Sequence, residues 1–526
     1  MKDRDSSTHS FSQMTFKSQF SDYEPIRHRR PAKGSPSKLD TEKASDHRPL
    51  KLDSTVENLG PHVKSRSAQE SAVSTIKDQP KNLSGLPADH LSVREGSRGE
   101  QATSSHATRV SASSIAAREN WIHKHGHSLS FAGLFLFTFV VYFRPYEWSS
   151  ALFWLSSSAF WIAAFTLAIF IPTQLGLENN LTARPREVNL ILLLTLMALL
   201  SVPFALNPLR AWSSFVEYLK VVAMFIVMVN VVRTKKRLQA LIWLVLIASV
   251  VLSAAAINDY ETGRLGLRGD RIEGVIGGPF DNPNDLALHL VTIVPIAIAL
   301  GFASRNVLNK LIYAGMSLLF ICGIVATFSR GGFLGLICAV TVLGWKLARR
   351  NRILFVVGGA ALLLAAITFA PGAYRDRLST TSDDSALART DDLKRSVYLA
   401  IRHPLSGVGM DNYILYSNVA KVTHNSYTQV AAELGVAAAI FYIGFIITPL
   451  KSLRKIDLSR DNKDRRSYSS YLAIGLQASL IGFMVSSFFA SVAYQWYVYY
   501  LVAYSICLRR LALVENDSKL PPPQSS

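Results

Sequence analysis

The chain changes character near residue 120, where a polar segment gives way to a series of long apolar runs. Residues 1–120 have no sustained apolar periodicity and carry only four aromatic residues. Such a segment buries too little apolar surface to offset its ordering entropy, so we predict a disordered tail. From residue 129 onward, apolar runs of about 18–22 residues follow one another, which is the length that crosses the hydrocarbon core of a membrane.

Twelve runs can be counted, and eleven or thirteen stay possible because the first is short and two are nearly continuous. The twelve are 129–143, 151–172, 188–206, 214–232, 238–257, 285–303, 310–328, 331–348, 353–370, 426–449, 469–490 and 494–508. Only helices and closed barrels satisfy the backbone in lipid, and runs of this length indicate helices. The sequence therefore predicts an all-α polytopic membrane protein with about 12 transmembrane helices and a large outward-facing loop carrying short helices.

Three parts of the chain follow from this pattern: a disordered tail over 1–120, a transmembrane domain over 121–510 and a C-terminal tail over 511–526. No apolar h-region follows the basic start, so the first residues do not form a secretory signal peptide. The three cysteines all fall inside predicted spans and fit neither a metal motif nor a disulfide framework, so we expect them to be packing residues.

The formal net charge of +19 is distributed unevenly among the loops. One alternate set of short loops is rich in Lys and Arg, and the other has single charges there. The positive-inside rule places the basic set, and with it both termini, in the cytoplasm. The long loops 258–284 and 371–425 then face outward. The excess of basic residues is explained by membrane topology, so the positive net charge gives no reason to expect a nucleic-acid partner.

The outward-facing cations call for a separate explanation. Nine of the eleven are Arg; the set is Arg264, Arg268, Arg271, Arg330, Arg375, Arg377, Arg389, Lys394, Arg395, Arg402 and Lys421. The planar guanidinium suits two phosphate oxygens at once. This bias favours a phosphate ligand, while ordinary headgroup contact or ion pairing with nearby Asp residues remains the alternative.

The second half of the long outward loop contains the run HNSYTQVAAELG. Ser426 to Gln429 has the form of a capping box, which predicts a helix starting there. His424 then lies beside a helix N-terminus, where anions are attracted and an imidazole can act as a general base. An interfacial histidine that helps to cap the helix fits the same spacing.

Upstream in that loop, Thr390 with the two Asp residues after it predicts the start of a short amphipathic helix that ends before Pro404. Leu393, Val397 and Ile401 form its apolar stripe, and four cations lie off that stripe: Arg389, Lys394, Arg395 and Arg402. Such a helix could cover a lipid-phosphate site, or it could be a passive interfacial helix.

Other polar residues lie in or next to predicted spans, where an ionisable group is a functional candidate by default. Arg330 in FSRGG and Glu433 in span 426–449 are the clearest. Glu217 with Lys220, and Asp285 with His289, are spaced to neutralise each other. Asn282 and Asn284 in PFDNPND suit a helix cap, and their amides could also bind sugar hydroxyls.

Taken together, NPND at 282–285, FSRGG at 328–332, the Arg-led helix at 389–402, HPLSGVGMDNY at 403–413 and HNSYTQVAAELG at 424–435 resemble the bacterial O-antigen ligase and polymerase superfamily. The resemblance covers roughly 130–510. It implies a polytopic glycosyltransferase of the inner membrane that takes a glycan from a polyprenyl-pyrophosphate carrier and passes it to a lipid, polysaccharide or protein hydroxyl. The ligase pattern has Gly, Thr or Tyr where this chain has Ala438, which weakens a strict lipid A–core ligase assignment.

By position, the resemblance implies that His424 is the base and that Arg330 and Arg389 hold the pyrophosphate. Candidates for substrate binding are Arg268, Arg271, Arg395, Asn282, Asn284, Asn425 and Glu433. With no metal-binding cluster in the outward loops, we expect metal-independent, inverting transfer without a cofactor. The rival hypotheses are a membrane transporter, as some relatives are thought to be, and a scaffold that recruits partners through the tail. Ligase and polymerase are not distinguished by these motifs.

Overall fold

The structure is a computed structural model, and it describes residues 125–265, 272, 275–347, 384–417, 422–458 and 467–517. The helices of this part are numbered in chain order: α1 (125–143), α2 (Pro145–Trp148), α3 (Ser158–Glu178), α4 (Arg186–Ser201), α5 (Pro208–Val231), α6 (Lys235–Glu261), α7 (Pro283–Ala303), α8 (Val307–Ala326), α9 (Arg330–Leu347), α10 (Asp384–Arg402), α11 (Ser426–Leu434), α12 (Val436–Leu458), α13 (Tyr468–Ser486) and α14 (Trp496–Asp517). Within the described residues, β structure is limited to one isolated bridge between Leu265 and Ile272.

Eleven helices of the described part are long and apolar enough to cross a membrane. The protein is therefore an all-α multi-pass membrane protein, as the apolar runs predict. Eleven of the twelve predicted spans coincide with these helices. The twelfth, 353–370, lies outside the described residues, and so does the tail predicted over 1–120.

One predicted span has a different start. The run 426–449 is divided at Gly435 into the short helix α11 and the spanning helix α12. Gly435 has φ +93°, which L side chains rarely adopt, and a Cβ there would lie 2.6 Å from the Leu405 carbonyl oxygen. The membrane span runs from Val436 to Ile456, so the polar residues from His424 to Glu433 lie before it.

The spans differ in how much of their surface the protein itself covers. In α7, 78% of the most apolar window is buried, whereas the span Ala151–Glu178 is only 17% buried. Large apolar side chains such as Phe153 and Trp161 are exposed along the latter span. Because lipid is the solvent at this depth, exposed apolar residues mark the lipid-facing perimeter, and α7 lies at the centre of the bundle.

Polar connections collect at one end of the bundle, which we call the loop end. It contains the turn 205–207 between α4 and α5, the turn 327–329 between α8 and α9, the segments 403–417 and 422–425, and the segment 487–495 between α13 and α14. Hydrogen bonds join these pieces: Asn207 N donates to Asn412 Oδ1 at 2.8 Å, and Ser426 Oγ donates to the Ala490 carbonyl oxygen at 2.7 Å. The other end of the same helices is called the opposite end.

Candidate functional site

The N-terminus of α11 is capped by Asn425. Its Oδ1 accepts hydrogen bonds from Tyr427 N at 2.9 Å and from Thr428 N at 3.1 Å. The prediction that Ser426 caps this helix is therefore wrong, because the capping residue lies one position earlier, at Asn425. Ser426 is fully buried, and its hydroxyl serves the neighbouring segment instead: it donates to the Ala490 carbonyl oxygen and accepts from Val492 N at 2.9 Å.

His424 lies immediately before this cap and is half-buried. Its backbone is in the left-handed region, with φ 51°, a conformation more tolerated by His than by most side chains. On its other side, Thr423 Oγ1 lies 2.8 Å from Ser491 Oγ. The backbone around His424 is thus held from both sides by the segment 490–492.

Arg330 is the first residue of α9, as its position in FSRGG predicts. Ser329 Oγ accepts from Gly332 N at 3.2 Å and so caps this helix. The next residue, Gly331, packs closely on Phe489, because a Cβ added there would lie 2.7 Å from Phe489 Cβ. The Gly331 carbonyl oxygen accepts from Ser486 Oγ at 3.2 Å.

The chain neighbours of Arg330 and of His424 therefore both contact one short segment, residues 486–492, although the two positions are 94 residues apart in the chain. The segment approaches α9 through Ser486 and Phe489, and it approaches α11 through Ala490 to Val492. The two predicted catalytic positions thus lie at the same end of the bundle, each next to residues that contact this segment. A cation and an imidazole at the N-terminus of a helix form a suitable environment for an anion.

Arg389 and Arg395 lie on α10, which begins at Asp384 and not at the predicted Thr390. The predicted cap is thus inside the helix, where Arg389 is half-buried. Arg395 Nη1 donates to the Tyr416 carbonyl oxygen at 2.7 Å. Tyr413, one turn earlier, donates its hydroxyl proton to the Asp392 carbonyl oxygen at 2.9 Å.

Two of the three residues of the predicted apolar stripe of α10 face away from the protein, with Val397 42% and Ile401 73% exposed, whereas Leu393 is half-buried. Among the buried side chains of α10, Leu399 forms a small core with Val408, Tyr413 and Ala432 of the loop and α11. The helix is therefore held on α11 by one face and offers its apolar stripe on the other, as an interfacial helix does.

The segment GVGMDN connects α10 to α11 and to the turn before α5. Val408 N and Gly409 N donate to the carbonyl oxygens of Ala432 and Glu433, each at 2.9 Å. Gly407 is required at this approach: its φ is +65°, and a Cβ there would lie 2.2 Å from the Glu433 carbonyl carbon. Gly407 is thus explained by contact with the end of α11, whereas Gly409 lies against Ala205 of the α4–α5 turn.

Asp411 and Asn412 complete that connection at the α4–α5 turn. Asp411 Oδ2 lies 2.9 Å from Arg210 Nε, and it also accepts from Ser214 Oγ at 3.2 Å. Asn412 is fully buried, and its Nδ2 donates to the Asn207 carbonyl oxygen at 3.3 Å. Residues of α5 therefore take part in positioning the loop.

Glu433 lies in the last turn of α11 and is only 3% exposed. Its Oε2 accepts a hydrogen bond from the Tyr494 hydroxyl at 3.0 Å. Burial, with a smaller contribution from the nearby carboxylate of Asp411, raises the pKa of Glu433 to about 8. Burial and the proximity of Glu433 also raise the pKa of Tyr494. Near neutral pH, Glu433 is mainly a neutral carboxylic acid.

The remaining predicted positions fall elsewhere. Arg268 and Arg271 lie outside the described residues. Asn282 caps α7, accepting from Asn284 N at 2.9 Å, so the capping role is confirmed. The pairing of Glu217 with Lys220 is confirmed at 2.6 Å. The predicted partner of Asp285 is bound elsewhere, since His289 Nε2 lies 2.9 Å from Ser249 Oγ.

Several residues of the site have no signal in the sequence. Tyr494, Ser491 and Arg210 come from distant parts of the chain, and only folding shows that they meet α11 and its loop. Asp411 lies inside a motif that the sequence marks, but its partner in α5 is not marked. As for ligands, the described residues contain no group of three or more His, Cys, Asp or Glu that could hold a metal ion.

The fold and the site define an all-α membrane protein whose loop end contains His424 beside the N-terminus of a short helix and Arg330 at the start of α9. A family model described as O-antigen ligase matches residues 315–443, from α8 to the first part of α12. This segment contains Arg330, Arg389 and His424, and over it the resemblance to the O-antigen ligase and polymerase superfamily is confirmed. No curated protein matches the chain.

Proposed function

We propose that the protein transfers a glycan from a polyprenyl-pyrophosphate carrier to an acceptor hydroxyl at the outer face of the bacterial inner membrane. The main support is that Arg330 and His424 both lie in the part of the chain matched by the O-antigen ligase family, and that their chain neighbours Gly331 and Ser426 contact the same segment, 486–492. The family implies ligase- or polymerase-type glycan transfer. The roles below are our assignment of that chemistry to individual side chains.

The reaction joins the acceptor oxygen to the anomeric carbon and breaks the bond between that carbon and the pyrophosphate. His424 accepts the proton of the acceptor hydroxyl, so that the oxygen can attack. The electron pair of the broken bond leaves with the polyprenyl pyrophosphate. Attack on the face opposite to this leaving group inverts the anomeric centre. In this scheme no metal ion takes part.

Arg330 and Arg389 stabilise the charge that develops on the leaving pyrophosphate. Cations fixed before the reaction act strongly because they need no reorganisation as the charge appears. Arg330 is fixed at the start of α9 by the contacts of Gly331, and Arg389 is fixed on α10 by the packing of that helix on α11. The exposed apolar stripe of α10 suits a position at the membrane surface, where the carrier lipid presents its phosphates.

Other residues are assigned to binding and positioning. Asn425 is 2% exposed, and its Nδ2 finds no hydrogen-bond acceptor among the described residues, so this atom can donate to a substrate oxygen. Arg395 and Glu433 position the loop through Tyr416 and Tyr494. Arg268, Arg271, Asn282 and Asn284 are retained as donor-binding candidates on the predicted outward face.

The acceptor class stays broad in this proposal. Ala438, in the first turn of α12, departs from the ligase pattern and is fully buried. We therefore do not restrict the acceptor to lipid A–core, and a growing polysaccharide is included. Chain-length analysis of the product separates the two: single additions indicate ligation, and a change in the chain-length distribution indicates polymerisation.

The proposal is tested by His424→Ala in the native host, with surface glycan and lipid-linked precursor measured together. We expect surface glycan to be lost and precursor to accumulate. The matched control is His403→Ala, because His403 is an exposed histidine of the same loop end. Unchanged surface glycan in the His424 variant, or equal loss in both variants, would contradict the assignment.

A further inference from the structure

A second concave, strongly charged site lies at the opposite end of the bundle. It is a cavity of about 670 Å³ between the start of α4, the end of α12 and the end of α14, and we call it the cationic cavity. Its charged lining consists of Arg184, Arg186, Glu187, Lys451, Lys455 and Arg509. Five of these six groups are cations.

The cationic cavity is separate from the candidate site. Its lining residues Arg184 to Glu187 lie before or at the start of α4, whose other end leads to the turn that binds Asn412 at the loop end. The 16 residues of α4 span roughly 24 Å at the rise of an α-helix. Similarly, α12 begins beside Pro404 at the loop end and reaches the cavity at Lys451 and Lys455.

One cation of the cavity is neutralised internally. Arg509 donates to Glu187 with two nearly parallel bonds, Nη1 to Oε1 at 2.7 Å and Nη2 to Oε2 at 3.0 Å. The Glu187 side chain is completely buried, so this carboxylate is committed to that pair. The pair fixes the floor of the cavity and leaves the remaining lining cationic.

The other four cations have no acidic partner among the described residues: they are Arg184, Arg186, Lys451 and Lys455. All four are exposed, and they converge on one concavity from two different elements. Nearby hydroxyls do not offset this charge, because Thr448 and Ser452 donate to carbonyl oxygens of their own helix. Four like charges around one cavity repel one another unless an anion is bound between them.

The cavity also has an apolar side. Ile456, Ala512 and Leu513 contribute to its lining. Leu513 is 59% exposed, and its neighbour Val514 is 62% exposed, so apolar surface continues outward from the cavity. An apolar side beside a cationic side matches a molecule that carries both a phosphate and a hydrocarbon chain.

We propose that the cationic cavity binds the phosphate headgroup of an anionic phospholipid from the leaflet at the opposite end, which the positive-inside rule places in the cytoplasm. Basic cavities between transmembrane helices on that side suit such headgroups. Arg184 and Arg186 contact the phosphate from the α4 side, and Lys451 and Lys455 contact it from the α12 side. The acyl chains lie along Ile456 and Leu513.

The test uses the full-length protein in a neutral detergent, titrated with phosphatidylglycerol and followed by native mass spectrometry. Each basic residue near a lipid phosphate contributes about a fivefold factor in affinity. The variant R184Q/R186Q/K451Q/K455Q should therefore bind at least about a hundredfold more weakly. The control K236Q/R305Q/K310Q/R454Q removes four exposed cations of the same end that do not line the cavity, and it should bind within about twofold of wild type.

Equal weakening in the control, or no weakening in the cavity variant, would overturn the proposal. Inorganic pyrophosphate is titrated in a parallel experiment to test for a soluble ligand. If pyrophosphate binds as tightly as phosphatidylglycerol and displaces the lipid, the ligand is a soluble phosphate compound and the lipid assignment is wrong. If the fourfold variant does not fold, K451Q/K455Q replaces it, with an expected loss of at least about tenfold. No loss in that double variant would also overturn the proposal.

Discussion

At the scale of single residues, Glu433 is the clearest case of chemistry set by position. Its carboxyl is enclosed at the end of α11 and shares a hydrogen bond with Tyr494. Because burial disfavours the charged form, the folded protein holds this proton up to a pH of about 8. The unfolded chain releases it near the ordinary value for Glu, so folding is coupled to proton binding.

This coupling has a definite sign. Between the ordinary pKa of 4.5 and the folded value of about 8, the native state binds one more proton than the unfolded state. The contribution of Glu433 to the free energy of unfolding is therefore complete at low pH and is lost as pH rises through this window. We expect the melting temperature to fall less between pH 5 and pH 8 in Glu433→Gln than in wild type.

Thermal unfolding in detergent at several pH values measures this difference. Asp391→Asn serves as the control, because Asp391 is an exposed carboxylate on α10 whose ion pair with Lys394 is long, at 3.7 Å. The control should keep the wild-type pH slope. Identical slopes in wild type and Glu433→Gln would show that Glu433 ionises normally.

A second prediction for single residues concerns the guanidinium groups of Arg330 and Arg389 and their effect on kcat. Removing one preorganised donor to a developing anion lowers kcat by about a hundredfold or more. We therefore expect Arg330→Gln and Arg389→Gln each to lower kcat by about that factor, with a smaller change in KM. The measurement is the steady-state rate of glycan transfer with purified protein.

Arg402→Gln is the matched control, since Arg402 lies on the same helix as Arg389 and is exposed beside Tyr398. It should retain activity within about twofold, as surface substitutions away from a site usually do. A kcat near that of wild type for the Arg330 variant would remove this residue from leaving-group stabilisation.

The sequence was informative about some of these residues and silent about others. Arg330 and Glu433 stood out because charged groups are expensive near a membrane span, and His424 stood out because it precedes a predicted helix N-terminus. Tyr494 carries no such signal, because an aromatic residue at the end of a span is ordinary. Its contact with Glu433 joins residues 61 positions apart, and only the packing of α11 against the segment before α14 creates it.

At the scale of elements, the break between α11 and α12 is the feature that creates the site. If the helix continued through residue 435, α11 would be a straight extension of the membrane span, and the direction of the span would fix the position of the α11 N-terminus. Instead, Gly435 N donates to the Ala431 carbonyl oxygen, which ends α11. Val436 N donates to the Pro404 carbonyl oxygen, so the loop supplies the hydrogen-bond acceptor at the start of α12. Residues of α11 are thereby positioned by the loop and by the segment 486–492.

Gly435→Ala tests the break. A Cβ at this φ is strained, and it would meet the Leu405 carbonyl oxygen at 2.6 Å. We expect the variant to lose about 1–3 kcal/mol of stability and to lose transfer activity as α11 shifts. Chemical or thermal unfolding, together with the transfer rate, measures both effects.

Gly444→Ala, in the adjacent helix α12, is the control. A Cβ there meets only Leu190 side-chain atoms at 3.5 Å and 3.6 Å, which is ordinary contact. Alanine is the better helix former, so this variant should be neutral or up to about 1 kcal/mol more stable. If Gly435→Ala were as well tolerated as Gly444→Ala, the strained break would not be needed for folding.

Element boundaries were predicted less well than the elements themselves. The start of α10 and the capping residue of α11 were both misplaced, because Thr390 and Ser426 are good capping residues in isolation. In the fold, the residues before Thr390 are also helical. The Ser426 hydroxyl does not cap α11, because it forms hydrogen bonds with the backbone of Ala490 and Val492. Tertiary hydrogen bonds outweighed a local preference worth about 1 kcal/mol.

At the scale of the whole molecule, the two ends of the bundle differ in chemistry. The loop end contains the candidate site, where charged groups are enclosed by polar turns. The opposite end contains the cationic cavity and the basic turns around Lys235 and Arg305. The length and apolarity of the runs were enough to predict eleven spans, because a bilayer sets the length of every helix that crosses it.

This asymmetry predicts the orientation. In a variant whose three native cysteines are replaced, a single Cys at Arg402 of the loop end should react with a membrane-impermeant maleimide added outside the inner membrane. A single Cys at Lys236 of the opposite end should react only after that membrane is permeabilised. The reverse pattern would place the candidate site in the cytoplasm, away from carriers presented on the outer face.

We propose that Arg330, Arg389 and His424 perform glycan transfer at the loop end. The most direct measurement is transfer from a polyprenyl-pyrophosphate-linked glycan to an acceptor by the purified protein in proteoliposomes, comparing wild type with His424→Ala and His403→Ala. We predict transfer by wild type and by His403→Ala, and a loss of at least about a hundredfold in His424→Ala. Transfer by His424→Ala at the wild-type rate would contradict the claim.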